Sequence, residues 1–165
     1  MKTQILDNEQ IQKMIRRMAR EIFEKNSTEK EMVIAAIKGH GVTVARLLEE
    51  ELNAITSLKI SLVEIDIDKA EPGDENIGMS DPKIKLRGKC VLLVDDVLNT
   101  GRTIVYAMLP FLRAQVKTLQ VAVLVDRNHT SFPVSAKYKG ISLSTTLQEH
   151  VTVATQKSKM QVYLD

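Results

Sequence analysis

The stretch VLLVDDVLNTGRT, residues 91–103, decides the fold of this chain. Its leading apolar residues predict a buried strand that ends on two adjacent acids, Asp95 and Asp96. Neighbouring carboxylates repel each other, so the pair favours a bound partner that uses both. The loop that follows supplies a glycine, hydroxyls and backbone amides at the start of a predicted helix, and these groups suit a phosphate. The stretch therefore predicts a site for a phosphorylated sugar with free hydroxyls; the alternative is an ordinary strand–loop–helix with exposed acids.

Helices and strands alternate on both sides of this stretch. Asp7, followed by Gln10, predicts the capping box of a first helix whose apolar residues recur at helical spacing. We expect helices over residues 7–26, 42–53 and about 102–114, the last bent at Pro110, and strands over 32–37, 59–67, 90–95 and 118–126, with shorter strands within 136–143 and 151–154. Residues 68–82 are typical of a polar loop. Because the strands are mostly apolar, the pattern predicts an α/β fold with a parallel sheet buried on both faces.

Three of the predicted strands end in sequence that suggests function. The segment KGHG, residues 38–41, follows the first of them, and the acidic pair and its loop follow the third. The segment DRNH, residues 126–129, follows the fourth. Ligands of parallel α/β sheets bind at the carboxyl ends of the strands. We therefore expect these three segments to lie around one site.

Composition narrows the class of protein. A length of 165 residues suits a single domain, and a net charge of +2 does not by itself indicate nucleic-acid binding. The one cysteine, Cys90, excludes a disulfide framework and argues against a cysteine-rich metal site. The N-terminal residues lack the apolar core of a signal peptide, and no apolar run is long enough to span a bilayer. We expect a cytoplasmic protein.

The stretch 91–103 resembles the phosphoribosyl pyrophosphate motif of type I phosphoribosyltransferases. Four further segments resemble, in order, the bifunctional pyrimidine-operon regulator/uracil phosphoribosyltransferase family: ILDNEQIQKMIRRMAREIFEKN, IKGHG, VEIDI and VAVLVDRNHTSFPVSAKYKGISLSTT. The resemblance implies one domain with a five-stranded, mostly parallel sheet flanked by helices, and a small hood built mainly from about residues 127–165. It also implies a homo-oligomer, expected to be a dimer. The implied activity is transfer of a phosphoribosyl group from phosphoribosyl pyrophosphate to a nucleobase.

The same resemblance assigns roles to individual residues. Asp95 and Asp96 would be the catalytic acids that hold the ribose hydroxyls. They could also help to bind Mg²⁺, which arrives mainly on substrate oxygens, so no dedicated metal site is expected. The 5′-phosphate would lie on Leu98, Asn99, Thr100, Gly101, Arg102 and Thr103, the pyrophosphate on Lys38, Gly39, His40 and Gly41, and the nucleobase beside Asp126 and Arg127.

The acidic pair also bears on the choice of nucleobase. Purine-specific members of the superfamily usually carry Glu-Asp here and an Asp before the Thr-Gly, whereas this chain has Asp95-Asp96 and Asn99. An amide cannot act as a general base, and the C-terminal part lacks an aromatic platform for stacking a purine. Both points favour a pyrimidine base, which the family resemblance identifies as uracil.

The sequence departs from the family in three places. Gly39-His40 replaces Thr-Arg in the pyrophosphate loop, and Thr130 replaces an arginine. The connection 68–82 lacks the aromatic-Arg-Asp segment of the family's mobile arm. It carries one cation, Lys69, against Asp68, Glu71, Asp74, Glu75 and Asp81. A lid over a leaving pyrophosphate is expected to be neutral or basic, so we predict slow and strongly Mg²⁺-dependent turnover.

The first helix carries a basic stripe opposite its apolar face, formed by Lys13, Arg16, Arg17 and Arg20. Such stripes are common on solvated amphipathic helices. The alternative is a patch for the RNA backbone, as the regulator family uses. Two functions are therefore open. We favour an active phosphoribosyltransferase over an RNA-binding or nucleotide-sensing regulator of pyrimidine genes with weak or no catalysis.

Overall fold

The computed structural model describes residues 1–165, and its strands form two β-sheets. The helices are α1 (Asn8–Lys25), α2 (His40–Ile55), α3 (Arg102–Ala107) and α4 (Leu109–Arg113). The strands are β1 (Thr3–Leu6), β2 (Glu31–Ile37), β3 (Lys59–Asp66), β4 (Gly78–Met79), β5 (Cys90–Leu98), β6 (Thr118–Asp126), β7 (Tyr138–Ser142), β8 (Val151–Gln156) and β9 (Lys159–Leu164). One turn of 3₁₀ helix covers Asp74–Asn76.

The main sheet has six strands in the order β4-β3-β2-β5-β6-β7. Five of them run parallel, and only the two-residue β4 pairs antiparallel, with β3. The predicted α/β fold with a mostly parallel sheet is confirmed. Strand β4 lies inside the connection 68–82, for which the sequence predicted only a polar loop.

Strand β5 illustrates why the central strands are apolar throughout. Its side chains alternate between two hydrophobic clusters, with Leu92 and Val94 facing the cluster of α1 and α2. Val91 and Leu93 face the opposite cluster, to which α3 and α4 contribute. Because successive side chains on a strand point to opposite faces, a strand covered by helices on both sides has no polar position in its middle.

Helix α1 begins as the sequence predicts. Asp7 Oδ1 accepts a hydrogen bond from the Gln10 amide at 2.8 Å, and the Gln10 side chain accepts one from the Asp7 amide at 2.9 Å. This capping box satisfies two amides that a helix start would otherwise leave unpaired. The apolar face that the helix presents to the core is fully buried at Ile11, Ile15, Met18 and Ile22.

The helix predicted over residues 102–114 is divided into α3 and α4 at Met108. Pro110 has no amide hydrogen to donate to the carbonyl four residues earlier, and its ring crowds that carbonyl. The predicted bend therefore takes the form of a break, and the chain restarts as α4 with the proline in its first turn.

The second sheet is antiparallel and joins the two ends of the chain in the order β1-β9-β8. It contains β8 and β9 from the range predicted for the hood, together with β1, and the sequence analysis missed both β1 and β9. Strand β7, which also falls in that range, belongs to the main sheet. No helix in the structure combines the length and apolar character needed to cross a bilayer.

Candidate active site

A cavity of about 250 Å³ opens at the carboxyl end of β5. It is lined by Lys69, Asp95, Asp96, Val97, Leu98, Asn99, Thr100, Gly101, Arg102, Thr103, Ile104, Arg127, His150 and Val151. The acidic pair and the whole predicted phosphate loop, residues 98–103, therefore share one cavity. The position agrees with the rule that ligands of parallel sheets bind at the carboxyl ends of the strands.

Strand β5 carries the acidic pair in a part of the sheet where it pairs with a neighbouring strand on one side only. Its pairing with β2 stops at Ala36 and Val94, whereas its pairing with β6 continues to Leu98 and Asp126. The prediction that the strand ends at Asp95 is therefore wrong by three residues, because β6 supports the strand beyond the acids. Where β2 stops pairing, Gly41 at the start of α2 packs against Asp95 on that side of β5.

The two carboxylates differ in burial. Asp95 is 3% exposed, and Asp96 is half-buried. Burial, together with the charge of Asp96, raises the pKa of Asp95 to about 8, while the Lys69 ammonium opposes that rise. Oδ1 of Asp95 accepts the Asp96 amide at 2.9 Å, and Oδ1 of Asp96 accepts the Val97 amide at 3.0 Å. These bonds leave Oδ2 of each carboxylate available to a ligand.

The phosphate loop is held in one conformation. Gly101 has φ +85°, and a Cβ atom there would lie 2.4 Å from Val134 Cγ1, so both the backbone and the packing require glycine. The Thr100 carbonyl accepts hydrogen bonds from the amides of Ser131 and Phe132 at 2.8 and 3.2 Å. The loop is thus shaped before any ligand arrives.

Arg127 ties the phosphate loop to the segment that precedes β8. Its guanidinium is buried and donates to Asn99 Oδ1 and Thr145 Oγ1, both at 3.1 Å, and to the carbonyls of Thr146 and Glu149 at 3.2 and 2.5 Å. Arg127, which was predicted to face the nucleobase, does line the cavity, but four of its five N–H donors are already engaged by the protein. Its nucleobase role stays a prediction.

Asp126 lies next to Arg127 but does not line the cavity. Its buried carboxylate accepts hydrogen bonds from the Asn128 amide at 2.9 Å and from Lys139 Nζ at 3.1 Å. These partners hold the turn after β6. A contact between Asp126 and a nucleobase also stays a prediction.

The predicted pyrophosphate loop, residues 38–41, adjoins the acidic pair through Gly41, and its residues 40 and 41 already belong to α2, which begins two residues earlier than predicted. A Cβ atom on Gly41 would lie 3.1 Å from Asp95 Oδ1 and 3.2 Å from Asp95 Cα, so only glycine allows so close an approach. Lys38 lines a neighbouring cavity and pairs with Asp66 at 3.1 Å. His40 Nδ1 lies 3.4 Å from Thr155 Oγ1. None of the loop's side chains lines the main cavity.

The connection 68–82 presents its cation, and not its acids, to the site. Lys69 Nζ lies 3.4 Å from Asp95 Oδ1 and 3.9 Å from Asp96 Oδ1. None of the five acids of the connection lines the cavity. Asp74 pairs with Arg113 on α4, and Asp68 accepts the amides of residues 70 and 71. Slow turnover stays a prediction, but the acids on which it rests lie outside the cavity.

Lys69, His150 and Val151 line the cavity, and the sequence analysis assigned none of them to the site. Lys69 follows β3, and the carboxyl end of β3 was not among the strand ends predicted to form the site. A single lysine among five acids was nevertheless a signal that could have identified it. His150 and Val151 come from the second sheet, and no local pattern relates them to residues 95–103.

Asp95 and Asp96 are the only carboxylates that line the cavity and could bind a divalent metal ion. Their hard oxygen atoms fit Mg²⁺, which commonly takes one or two protein carboxylates and completes its shell with water and substrate oxygens. No group of three or more potential metal-binding side chains occurs in the chain. The residues therefore fit a metal ion that arrives with its substrate.

The basic stripe of α1 is exposed along its whole length. Lys13 pairs with Glu9 at 2.8 Å, and Arg17 pairs with Glu21 at 2.6 Å. Arg17 also donates to the Gly140 carbonyl at 2.6 Å. Arg16 and Arg20 make no ion pair, so half of the stripe is engaged within the protein.

The family model of the phosphoribosyl transferase domain matches residues 1–157. The chain is 35% identical to "Bifunctional protein PyrR" of Haemophilus ducreyi, over 92% of this chain and 89% of that protein. It is 36% identical to the protein of the same name from Oceanobacillus iheyensis, again over 92% and 89%. The predicted resemblance and the predicted phosphoribosyltransferase activity are confirmed.

Solved structures agree on the fold. A hypoxanthine phosphoribosyltransferase of Trypanosoma cruzi superposes with a TM-score of 0.79 at 16% identity, covering 97% of this chain and 95% of that one. A hypoxanthine-guanine phosphoribosyltransferase of Bacillus anthracis gives 0.73 at 19% identity, covering 87% and 83%. At these identities the likeness concerns the fold alone. The matched family model and the relatives above together place the chain in the phosphoribosyl transferase domain family.

Proposed function

We propose that this protein transfers the phosphoribosyl group of phosphoribosyl pyrophosphate to uracil and releases pyrophosphate. The observation that carries the proposal is the single cavity in which Asp95 and Asp96 lie beside the phosphate loop. A ligand with a sugar diol at one end and a phosphate at the other fits both sets of groups. The name of the PyrR relatives supports a protein with two roles.

In the proposed reaction the bond from the anomeric carbon to pyrophosphate breaks while a bond to the nucleobase nitrogen forms. The transition state resembles an oxocarbenium ion, so the protein contributes mainly position and charge stabilisation. The Oδ2 atoms of Asp95 and Asp96 would accept hydrogen bonds from the ribose hydroxyls. The hydroxyls and amides of residues 99–103 would hold the 5′-phosphate.

Magnesium is part of the proposal. Bound with the substrate, Mg²⁺ would neutralise charge on the departing pyrophosphate. Asp95 and Asp96 are the residues that would contact the metal or its water shell. Gly41 brings the 38–41 loop against Asp95, which would place the amides of that loop near the same pyrophosphate.

The proposed nucleobase is uracil because the side chain at position 99 is an amide. Purine-specific members of the superfamily usually carry there an Asp that can act as the general base. Asn99 cannot accept a proton, and its Oδ1 atom already accepts a hydrogen bond from Arg127. A nucleobase that needs a carboxylate at this position would therefore react poorly. This reasoning favours uracil over hypoxanthine and guanine.

A second proposed function is RNA-dependent regulation, because Arg16 and Arg20 are exposed and unpaired on α1. Neutralising phosphates releases counterions, so RNA affinity through this stripe should fall steeply with salt. Arg16→Ala with Arg20→Ala should flatten that dependence, whereas a mobility shift that does not change with salt would contradict RNA binding through the stripe.

The main experiment is a screen of uracil, cytosine, hypoxanthine and guanine for pyrophosphate release with phosphoribosyl pyrophosphate and Mg²⁺. We expect uracil to give the highest kcat/KM. Faster reaction with a purine would contradict the assignment of the base, and no reaction with any base would favour the regulator.

A further inference from the structure

Lys69 occupies the mouth of the active-site cavity and faces both members of the acidic pair. Its ammonium lies 3.4 Å from Asp95 Oδ1 and 3.9 Å from Asp96 Oδ1. The Lys69 side chain is 47% exposed, whereas the side chains of the two acids are 4% and 15% exposed. A solvent-accessible cation on a surface connection therefore covers a largely buried anionic site.

The other basic side chains near the cavity do not reach the acids. Lys38 pairs with Asp66, and the Arg127 guanidinium donates to Asn99 and to the segment 145–149. Arg102 lines the cavity but makes no ion pair with either acid. Lys69 is thus the one cation that offsets the charge of the acidic pair.

The backbone around Lys69 keeps the side chain close to the site while the ammonium stays mobile. The Asp68 carboxylate accepts the Ala70 amide at 2.9 Å and the Glu71 amide at 3.3 Å, which fixes a turn around residue 69. Four methylene groups separate the backbone from the ammonium, and a half-exposed lysine can move its charge into water at little cost. The ammonium can therefore leave the acids without unfolding the connection.

We propose that Lys69 is a resident cation that keeps free divalent metal ions off the acidic pair and yields only to a metal ion bound to the diphosphate of the substrate. The inference rests on the proposed function, and it adds a residue that makes metal binding depend on substrate.

The chemistry of Mg²⁺ explains why the exchange depends on substrate. A free Mg²⁺ ion loses its water reluctantly and would meet two carboxylates already neutralised in part by Lys69. A metal ion on the diphosphate brings several oxygen ligands and an anion that attracts the displaced ammonium. Only a metal ion bound to the diphosphate therefore compensates for the loss of the Lys69 contacts.

The test measures Mn²⁺ binding to the full chain by electron paramagnetic resonance, first without substrate. Removing a unit charge about 4 Å from the site should tighten Mn²⁺ binding about tenfold in Lys69→Met and in Lys69→Gln. Lys69→Arg keeps the charge and should bind Mn²⁺ as the wild type does. Lys83→Met removes an exposed cation just beyond the far end of the connection 68–82 and controls for net charge.

The second measurement repeats the titration with phosphoribosyl pyrophosphate present. The affinity ratio between Lys69→Met and the wild type should then shrink below about threefold, because the substrate displaces Lys69 in both proteins. Equal Mn²⁺ affinities without substrate would overturn the resident-cation role. An undiminished ratio with substrate bound would overturn the exchange. Absence of phosphoribosyl pyrophosphate binding would contradict the proposed function and leave the first result standing.

Discussion

The phosphate loop, residues 98–103, and the connection 68–82 both follow a parallel strand and both reach the acidic pair, but they are held very differently. The phosphate loop is fixed by the packing of Gly101 on Val134 and by the buried guanidinium of Arg127. The connection pairs with β3 only at β4, and its part near the acids, residues 68–76, is held by exposed contacts such as the ion pair of Asp74 with Arg113. The same site therefore combines a loop held in one conformation with a segment that can be displaced.

The difference follows from how each segment is solvated. Buried hydrogen bonds must be remade or lost as a set, whereas solvent and salt screen exposed ion pairs, which contribute little net stability. A group that must hold a phosphate in one geometry belongs on the first kind of segment. A group that must leave when substrate arrives, as we propose for Lys69, belongs on the second.

The largest expected effect comes from removing the charges of Asp95 and Asp96, the acidic pair that both segments reach. Asp95→Asn combined with Asp96→Asn should weaken phosphoribosyl pyrophosphate binding about 100-fold, because two charge-assisted hydrogen bonds of roughly 1.5 kcal/mol each are lost. Isothermal titration calorimetry measures the affinity. The double variant should stay folded, since it removes like-charge repulsion, and an unchanged affinity would contradict the assignment of the ribose site.

A second prediction concerns the fixed segment alone. Gly101→Ala should lower the free energy of unfolding by about 2–3 kcal/mol, because it adds a strained φ angle and a clash with Val134. Urea denaturation measures the loss.

Gly88→Ala is the matched control for Gly101→Ala, since Gly88 also has a positive φ but no atom within 4 Å of an added Cβ. Its loss should be about 1 kcal/mol, from backbone strain alone. Adding Val134→Ala to Gly101→Ala should recover part of the difference. Equal losses at the two glycines would show that packing on Val134 does not fix the loop.

A third prediction uses the pKa of Asp95. The folded chain raises that pKa from 3.8 to about 8, so the folded protein binds the proton more tightly than the unfolded chain does. The resulting stability is complete below about pH 4 and is lost as the pH rises through 8. The melting temperature of the ligand-free protein should therefore fall between pH 5.5 and pH 8.5.

Asp95→Asn should remove most of that fall, and it should melt higher than the wild type at pH 8.5. The Lys69→Met variant should extend the fall to higher pH, since Lys69 opposes the raised pKa and its removal raises that pKa further. A wild-type melting temperature that rises over this range would contradict the raised pKa of the buried Asp95 carboxyl group.

The smallest effect is expected for the acids of the connection 68–82. Glu71→Gln, Asp74→Asn and Glu75→Gln together should change kcat less than about twofold, because none of the three lines the cavity and exposed charges are screened within about 10 Å. Steady-state kinetics with uracil measures the effect. A tenfold increase in kcat would instead restore the expectation that an acidic lid slows the reaction.

The phosphate loop and its acids could be predicted from the sequence because their pattern is local. Asp95 and Asp96 lie within eight residues of Thr103, so a single stretch contains the strand, the turn and the ligand-binding groups. The capping box at Asp7 is local for the same reason. Such features depend on residues that contact each other along the chain, and their chemistry is visible in one window.

The parts that sequence reasoning missed depend on distant neighbours. The extension of β5 to Leu98 depends on β6, and the second sheet joins residues 3–6 to residues 159–164. The contact of Lys69 with the acids depends on where the end of β3 lies relative to the acidic pair on β5. Composition identified the connection as acidic but could not say which side chain faces inward.

The bonding of Arg127 has a consequence for protein engineering. One guanidinium holds Asn99 on the phosphate side and the backbone of residues 146 and 149 on the other side of the cavity. A loop transplanted into residues 143–150 would keep the phosphate site intact only if its carbonyls met Arg127 at the same places. Substitutions of the exposed side chains at 147 and 148, which leave that backbone alone, should therefore preserve the phosphate site.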